Sequence, residues 1–478
     1  MPVSFVSRKY FRTVIWQCQA CVWPLILLMM LWAVPAGAAE WKAGVAKAEI
    51  TPDQPMWMAG YASRDHRAEG TQTSLWAKVL VLEDVKGQRV AAISLDLIGI
   101  DEVTSNTLRQ RITQEHGLER ARIAIFCSHT HCGPVFGNTL LSHYTLPEEE
   151  KTRAAEYTAG VLDKVVVAVG AAIGDLTPAE LVSSRGKVGI AVNRRTNKES
   201  EVPALRAAGE LLGPVDHEVP ILQVNCEDQI KAIVFGYACH ATTLDFFKWC
   251  GDYPGYATQC LEREFPGTMA MFWAGCGGDQ NPLPRGTVER AEAYGDRMAT
   301  EVQSALLGES ITIHGELDVR YDEPEIPFAS TPTTEQIEAQ LKSNNIYEVG
   351  RAKQQLQEIA TTGKVRAAYP YPVQTWKLGD GPIWVILSGE VVVDYSIRLK
   401  TELRMKYSGH AVWVAGYAND TMAYIPSKRV LQEGGYEGAS SMLYYGRPSP
   451  WADTIEEQII ATVHAQVESL LGTTAPAK

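Results

Sequence analysis

The chain has few of the residues that would hold a protein together by disulfide or thiolate chemistry. Nine of its 478 residues are cysteine, and Cys18 and Cys21 lie in a stretch that we expect to be removed. The seven others are too sparse for a disulfide framework and contain no C-x-x-C pair. We therefore expect neither a disulfide scaffold nor a zinc site built from thiolates.

Basic residues are also in deficit. The chain has 44 Lys and Arg against 56 Asp and Glu, a formal charge of −12. The first 39 residues hold three of the basic residues and no acidic one, so the remainder carries −15. A surface of this sign repels nucleic acid and anionic lipid, and we expect neither as a partner. The hydrophobic content of 46% suffices for a large core.

Long apolar runs are confined to the N-terminus. Arg8, Lys9 and Arg12 precede an apolar stretch over residues 21–34, which is followed by Ala36-Gly37-Ala38-Ala39. This pattern is typical of a cleaved secretory signal peptide rather than a retained membrane anchor. We predict a signal peptide over residues 1–39, a mature protein over residues 40–478 without a stable membrane span, and a secreted or periplasmic location.

Segments with strand-like and helix-like patterns alternate along the rest of the chain. The predicted strands are 78–82, 90–98, 123–127, 221–225, 232–237, 269–274, 384–387 and 411–415. The predicted helices are 102–116, 152–173, 256–264, 288–307, 391–405 and 453–471, with a polar, solvated helical pair over 333–359. The alternation predicts an α/β fold in which helices sandwich a mixed sheet, in a single domain.

Two histidines follow one of these strands. Ser128-His129-Thr130-His131-Cys132 comes directly after the apolar residues 123–127 and before Gly133-Pro134. Buried imidazoles need partners. Either both bind a metal, or one binds a metal while the other transfers protons. A hydrogen-bonded pair of loop histidines is the alternative.

Three further segments place polar or flexible residues after a strand. His240 follows 232–237, and Glu390 opens a helix, where the helix dipole favours a carboxylate. The glycine-rich residues 274–282 allow either close approach to a ligand or a tight turn. Taken alone, His240 could be a strand-end histidine and Glu390 a helix-start glutamate. Because strand ends gather at one sheet edge, their combination favours a metal site.

Together these segments resemble the neutral/alkaline ceramidase family, zinc-dependent amidases that split ceramide into sphingosine and a fatty acid. The His129-Thr130-His131-x-Gly-Pro stretch is the most specific element. The resemblance spans most of the mature chain and includes residues 44–52 and 58–61, Asn193-Arg194, His240, Gly251-Asp252, Gly278-Asp279, Gly389-Glu390 and residues 416–419.

The resemblance implies a zinc site. Its ligands would be His129, His240, Glu390 and a tyrosine. Tyr424 is the best placed tyrosine, and Tyr417 and Tyr436 are the other choices. Two imidazoles and a carboxylate leave an open position on a catalytic zinc, which a phenol can join as a weak ligand.

The same resemblance assigns residues beside the metal. His131 and Arg194 correspond to family residues that would serve proton transfer and the oxyanion. Asp279 is expected to be an accessory catalytic carboxylate or a turn-stabilising residue.

The sequence departs from the family in two places. The family's ceramidases carry a nucleophilic serine in a Gly-Asp-x-Ser-Pro-Asn loop, but residues 278–282 here read Gly-Asp-Gln-Asn-Pro. We therefore predict a zinc-activated water as the nucleophile. After the helix that ends near residue 471, we expect no C-terminal immunoglobulin-like domain.

The prediction is thus a secreted zinc-dependent hydrolase of an amide bond in a lipid or small-molecule substrate. A metal-dependent hydrolase of another amide or ester is one alternative. The H-x-H pattern also occurs in amidohydrolase barrels and in the metallo-β-lactamase fold. The barrels need a regular eightfold strand–helix repeat, which this sequence does not show. The metallo-β-lactamase fold needs an aspartate two residues after the second histidine, but Cys132 and then Gly133 follow His131. A catalytically inactive binding protein on the same scaffold is the remaining alternative.

Overall fold

The computed structural model describes residues 40–140 and 146–472. These residues fall within one compact unit, Glu40–Lys478. The predicted signal peptide lies outside the described residues, so the division at residue 39 stays a prediction.

The strands, in chain order, are β1 Trp41–Glu49, β2 Gly70–Thr71, β3 Trp76–Asp84, β4 Arg89–Leu95, β5 Ile123–Cys127, β6 Thr177–Lys187, β7 Ala191–Asn193, β8 Glu218–Cys226, β9 Gln229–Tyr237, β10 Lys248–Trp249, β11 Met269–Ala274, β12 Gln280–Pro282, β13 Ser310–Ile313, β14 Leu317–Asp322, β15 Glu325–Pro327, β16 Ala368–Pro370, β17 Val373–Leu378, β18 Ile383–Leu387, β19 Glu390–Val391, β20 Val412–Ala415 and β21 Tyr424–Ile425.

The α-helices are α1 Glu102–His116, α2 Glu148–Gly174, α3 Val202–Ala208, α4 Asp252–Glu264, α5 Val288–Leu306, α6 Thr334–Gln340, α7 Ile346–Thr362, α8 Val393–Lys406, α9 Lys428–Glu433, α10 Gly435–Gly438 and α11 Ile455–Leu471. Short 3-10 helices cover Arg120–Arg122, Glu199–Glu201 and Ser440–Leu443.

The predicted α/β class is confirmed, and α1, β5 and β11 have the predicted ends. The helical pair predicted over 333–359 is present as α6 and α7. Strands β1, β6, β14 and β17 are not among the predicted strands. Strand β14 alternates apolar and polar residues and β17 contains Val, Thr and Trp, so both have strand-like sequences, whereas the signals of β1 and β6 are weak. Charged residues, alanine and glycine occur along β1 and β6, and these residue types have low strand propensity. Their strand form depends on ladders with neighbours, such as the nine-residue antiparallel pairing of β1 with β3.

The strands form two principal sheets. The large sheet has the order β11-β9-β8-β6-β1-β3-β4-β5, with β13 also pairing with β6. Its pairs β9–β11 and β4–β5 are parallel and the others are antiparallel, so the sheet is mixed, as predicted. The second sheet has the order β14-β17-β18-β20, in which only β18–β20 is parallel.

The two sheets stack face to face between two layers of helices. Helices α1 and α2 cover one half of the outer face of the large sheet, and α4 and α5 cover the other half. Helices α8 and α11 cover the outer face of the second sheet. The single sheet of the prediction is thus two sheets, because each sheet has an apolar inner face that the other one buries.

Trp384 lies at the centre of the interface between the sheets. It is 1% exposed, and its ring stacks on Phe126 of the large sheet at 5.1 Å between centroids. Trp273 and Trp413 pack around it at 5.4 and 5.5 Å. Aromatic packing of this kind removes a large apolar area from water and ties the sheets together.

Helix α2 is, among the described residues, the one helix long and apolar enough to cross a bilayer by length and composition. Its apolar face contacts β1 and β3 of the large sheet. Val161, Val165 and Val169 on that face are at most 2% exposed. In this fold, therefore, the helix contributes to the protein core.

Residues 415–419, which follow β20, join the two edges of the large sheet. Gly416 N donates to Ala274 O of β11 at 2.9 Å, and Asn419 N donates to Ile125 O of β5 at 2.7 Å. The side chain of Asn419 accepts from Ile125 N at 3.0 Å. This edge-joining segment brings together β5 and β11, the first and last strands of the sheet order, and places the ends of several strands in one region.

Trp384→Ala should lower the free energy of unfolding by about 3–5 kcal/mol, because it leaves a large cavity between two sheets that cannot collapse independently. Urea denaturation followed by circular dichroism measures the change. Leu307→Ala is the control, since Leu307 is 91% exposed and its truncation should cost less than about 0.5 kcal/mol. Equal changes in the two variants would contradict this account of the interface.

Candidate metal centre

Backbone carbonyl groups orient the two predicted histidine ligands. His129 Nδ1 lies 2.6 Å from Ile98 O, and His240 Nδ1 lies 2.7 Å from Gly277 O. A carbonyl oxygen only accepts, so each ring carries its hydrogen on Nδ1 and a lone pair on Nε2. The left-handed backbone of His129, with φ of 59°, turns the ring inward directly after β5.

The carboxylate of Glu390 meets both Nε2 atoms. Its Oε2 lies 3.2 Å from His129 Nε2 and 3.0 Å from His240 Nε2, and its side chain is 3% exposed. The side chains of His129, His240 and Glu390 therefore converge on one point; their assignment as zinc ligands stays a prediction.

This arrangement fits a cation. Because both rings carry their hydrogen on Nδ1, no hydrogen lies between Glu390 Oε2 and the facing Nε2 atoms. Burial and the charge of Arg194 lower the pKa of His240 to about 4, which disfavours an added proton. Facing lone pairs in a buried space need a positive charge, and nitrogen and oxygen ligands suit a metal such as Zn²⁺.

His131 completes a histidine group. Its Nε2 lies 3.1 Å from His129 Nε2, and the ligand atoms of His129, His131 and His240 all lie within 4.8 Å of one another. This group could therefore bind a metal ion. Burial, the largest cause, and the neighbouring imidazoles lower the pKa of His131 well below its ordinary value. The ring of His131 is therefore neutral. The assignment of His131 to proton transfer rather than to metal binding stays a prediction.

Arg194 and Tyr424 form the opposite wall of the centre. Arg194 donates from Nη2 to the Tyr424 hydroxyl at 3.0 Å, and that hydroxyl lies 3.2 Å from His240 Nε2. Glu390 and Tyr424 are register partners in the parallel pair β19–β21, which sets them side by side. Glu437 accepts from Arg194 Nε at 2.8 Å and fixes the guanidinium.

The other two tyrosines considered as ligands lie elsewhere. The Tyr417 hydroxyl is 3.3 Å from His240 Nδ1, on the far side of that ring. Tyr436 packs edge-on against Tyr424, with 5.3 Å between ring centroids, and is 41% exposed. Tyr424 is therefore the tyrosine whose hydroxyl faces the metal-binding side of His240.

Asp279 stabilises the glycine-rich loop. It is fully buried, and Asn193 Nδ2, Gln280 Nε2 and Val393 N donate to its carboxylate at 2.9–3.0 Å. Burial raises its pKa. With these donors around it, the geometry favours the turn-stabilising role; the accessory catalytic role stays a prediction without a contact to support it.

The same loop connects two parts of the site through its backbone. Arg194 N donates to Asp279 O at 2.9 Å, and His240 N donates to Gln280 O at 3.0 Å. The loop thus holds the histidine and the arginine at a fixed separation.

A cavity of about 670 Å³ opens beside these groups. Its wall combines His131, Arg194 and Tyr424 with residues from several surrounding segments. The other lining residues are Gly60, Tyr61, Arg195, Asn197, Lys198, Glu199, Thr242, Asn281, Leu283, Arg285, Gly435, Tyr436 and Glu437. A molecule in this cavity therefore contacts His131, Arg194 and Tyr424 together.

Sequence reasoning missed two supporting residues. Tyr445 donates from its hydroxyl to Glu390 Oε1, which leaves Oε2 directed at the histidines. Glu437 accepts from both Arg194 and Arg195. Neither residue lies in a strand-end motif. Tyr445 is 55 residues from Glu390 in the sequence, and Glu437 is about 240 residues from Arg194, so only the folded chain brings each pair together. No local pattern could have identified them.

Glu390→Gln should abolish stoichiometric metal binding, because it removes the negative charge between the imidazoles. Tyr445→Phe should weaken metal affinity about 10- to 100-fold, as loss of a hydrogen bond to a ligand does. Competition with a chromophoric chelator measures both. Tyr157→Phe is the control, since Tyr157 donates to Ile50 O far from the site. Wild-type affinity in Tyr445→Phe would show that the hydroxyl does not position Glu390.

Two curated proteins are similar to parts of this chain in sequence. The neutral ceramidase of Drosophila melanogaster is 26% identical over 261 residues, which are 51% of this chain and 36% of that protein. Neutral ceramidase 2 of Arabidopsis thaliana is 28% identical over 112 residues, 23% of this chain and 15% of that protein. The alignments thus span well under half the length of these curated relatives.

Two solved structures have the same fold. The crystal structure of neutral ceramidase from Pseudomonas aeruginosa matches with a TM-score of 0.70 and 19% identity, over 92% of this chain and 76% of that one. A ceramidase complexed with C2 also matches with a TM-score of 0.70, at 16% identity, over 92% of this chain and 77% of that one.

The sequence profile of one family covers about half of the chain. It is described as neutral/alkaline non-lysosomal ceramidase, N-terminal, and matches residues 41–283, which include His129, His131, Arg194 and His240. The chain therefore belongs to the neutral/alkaline non-lysosomal ceramidase family.

Proposed function

We propose that the protein is a secreted, zinc-dependent hydrolase that cleaves an amide bond in a lipid or other small molecule. The observation that carries the proposal is the convergence of Glu390 with His129 and His240 at 3.0–3.2 Å beside an open cavity. Membership of a ceramidase family supports amide hydrolysis. The signal-peptide pattern of residues 1–39 supports secretion, with residues 40–478 as the catalytic domain.

The proposed metal ligands are His129, His240 and Glu390, with Tyr424 as a weak or transient fourth. A zinc ion bound there would polarise the substrate carbonyl and would make a water molecule acidic enough to attack near neutral pH.

Arg194 and Tyr424 stabilise the charge that develops on the carbonyl oxygen. Both face the cavity, and Arg194 is already held in place by Glu437 and Asn281. Prearranged donors of this kind act on the transition state without a reorganisation cost.

His131 moves the proton. It is neutral, it lines the cavity, and its Nδ1 has no hydrogen-bond partner among the described residues. A neutral imidazole in that position can accept a proton from the attacking water and pass it to the leaving amine.

Water is the proposed nucleophile because the loop 278–282 contains no hydroxyl group. Thr242 lines the cavity, and its hydroxyl has no hydrogen-bond partner within residues 40–140 and 146–472. A threonine nucleophile needs a base that hydrogen-bonds its hydroxyl, and Thr242 has no such contact. In a covalent mechanism, Thr242 is nevertheless the residue that would carry the acyl group.

His131→Ala should lower kcat by about 10²- to 10⁴-fold, the usual contribution of a general acid–base group, while metal content stays near that of the wild type. Steady-state kinetics and elemental analysis of the same preparation measure the two quantities. Parallel loss of metal and activity would make His131 a ligand.

Hydrolysis of N-acyl lipids by the purified protein should stop when a chelator removes the metal and return when Zn²⁺ is added. Direct attack by water predicts no burst of product and no acyl adduct after a rapid quench. Thr242→Val, which removes the hydroxyl but keeps the shape, should retain turnover. An acyl group found by mass spectrometry on Thr242 or another side chain would refute the water route.

A further inference from the structure

Arg64 is a buried arginine close to the cavity wall, and the proposed mechanism does not use it. Its side chain is 6% exposed. The guanidinium donates from Nη1 to the backbone oxygens of Ala59 and His131, the latter at 2.5 Å, and from Nη2 to Phe246 O at 3.0 Å. Among the described residues it forms no ion pair with a carboxylate. A buried cation of this kind depends on its hydrogen bonds to offset the loss of hydration.

The three carbonyl groups belong to separate segments around the cavity. Ala59 directly precedes the lining residues 60 and 61, and His131 lines the cavity itself. Phe246 lies four residues after Thr242, which also lines the cavity. A guanidinium presents its donors in a rigid planar fork, which a lysine ammonium cannot reproduce. Arg64 therefore fixes the spacing of these three segments.

The ring of His131 lacks the hydrogen bond that orients the other two histidines. Nδ1 of His129 and Nδ1 of His240 each face a backbone carbonyl oxygen. Nδ1 of His131 has no hydrogen-bond partner in the part of the chain that the structure describes. The orientation of this ring therefore depends on its backbone and on the groups that pack against it.

The groups that pack against the ring lie in the segment that Arg64 holds. A Cβ atom on Gly60 would lie 2.6 Å from Cγ and Nδ1 of His131, so the backbone of Gly60 lies directly against the ring. The ring of Tyr61 packs on His131 with 4.8 Å between centroids, and its hydroxyl donates to Leu244 O at 3.1 Å. The Arg64 guanidinium lies 5.0 Å from the centroid of the Tyr61 ring. The same cation thus holds the backbone of His131 and contacts a residue that packs on its ring.

We propose that Arg64 is a positioning residue that fixes the imidazole of His131 at the cavity by binding its backbone carbonyl together with those of Ala59 and Phe246. The inference rests on the proposed proton transfer by His131. Arg64 acts through that histidine and touches neither the substrate nor the metal ligands.

A double-mutant cycle tests whether Arg64 acts through His131. Arg64→Met removes the guanidinium and keeps an unbranched side chain. It should lower kcat about 10²-fold, the cost of a small misplacement of a catalytic group, while metal content stays near that of the wild type. In the His131→Ala background the same substitution should leave kcat unchanged, because no imidazole remains to be positioned. Steady-state kinetics and elemental analysis measure these quantities.

NMR of the imidazole groups tests the inference without any substrate. The full zinc-loaded chain is labelled at its ten histidines, and the His131 signals are those missing from His131→Ala. Arg64→Met should shift or broaden these signals. The control is Arg206→Met, since Arg206 also donates to three backbone carbonyl groups, but in segments that Arg64 does not join. Arg206→Met should leave the His131 signals at their wild-type positions.

The two measurements separate this inference from the proposed function. If the wild type hydrolyses no amide but Arg64→Met still displaces the His131 signals, the positioning role is supported and the hydrolase proposal fails. Unchanged His131 signals in Arg64→Met, or an equal loss of kcat in the wild-type and His131→Ala backgrounds, overturn the positioning role. Arg64→Lys keeps the charge without the fork, and it takes the place of Arg64→Met in both measurements if circular dichroism shows that Arg64→Met does not fold.

Discussion

The closure of the large sheet by residues 415–419 is the constraint on which the site depends. This edge-joining segment pairs with β11 through Gly416 and with β5 through Asn419, so the two edges of the sheet meet. His129 follows β5, and His240 follows β9, which neighbours β11. Without that closure the two imidazoles would extend from strands separated by most of the sheet.

The closure requires unusual backbone geometry at its contacts. His129, Tyr417 and Asn419 all have positive φ, at 59°, 54° and 65°, a conformation that costs free energy for residues other than glycine. The hydrogen bonds of Asn419 to β5 and of His129 to Ile98 oppose that cost. The strain lies where the side chains must converge, which is typical of functional sites.

Two charged side chains of the site are each held by a hydrogen bond to a second residue. Tyr445 holds Glu390, and Glu437 holds Arg194. Because these partners occupy one side of each charged group, the other side remains directed at the site. Asn281 also holds Arg194, because its side-chain oxygen accepts from the guanidinium.

The sequence by itself determined the α/β class, the positions of the chemistry-bearing residues at strand ends and the family resemblance, because periodicity and strand-end motifs are local. It did not reveal β1 and β6, whose strand form depends on neighbouring ladders, or the second sheet. Only the tertiary structure decided which tyrosine faces His240 and showed that Asp279 stabilises the glycine-rich loop. It also showed that Tyr445 and Asn281 belong to the site. These depend on contacts between residues far apart in the chain, and their geometry exists only after the two sheets have packed.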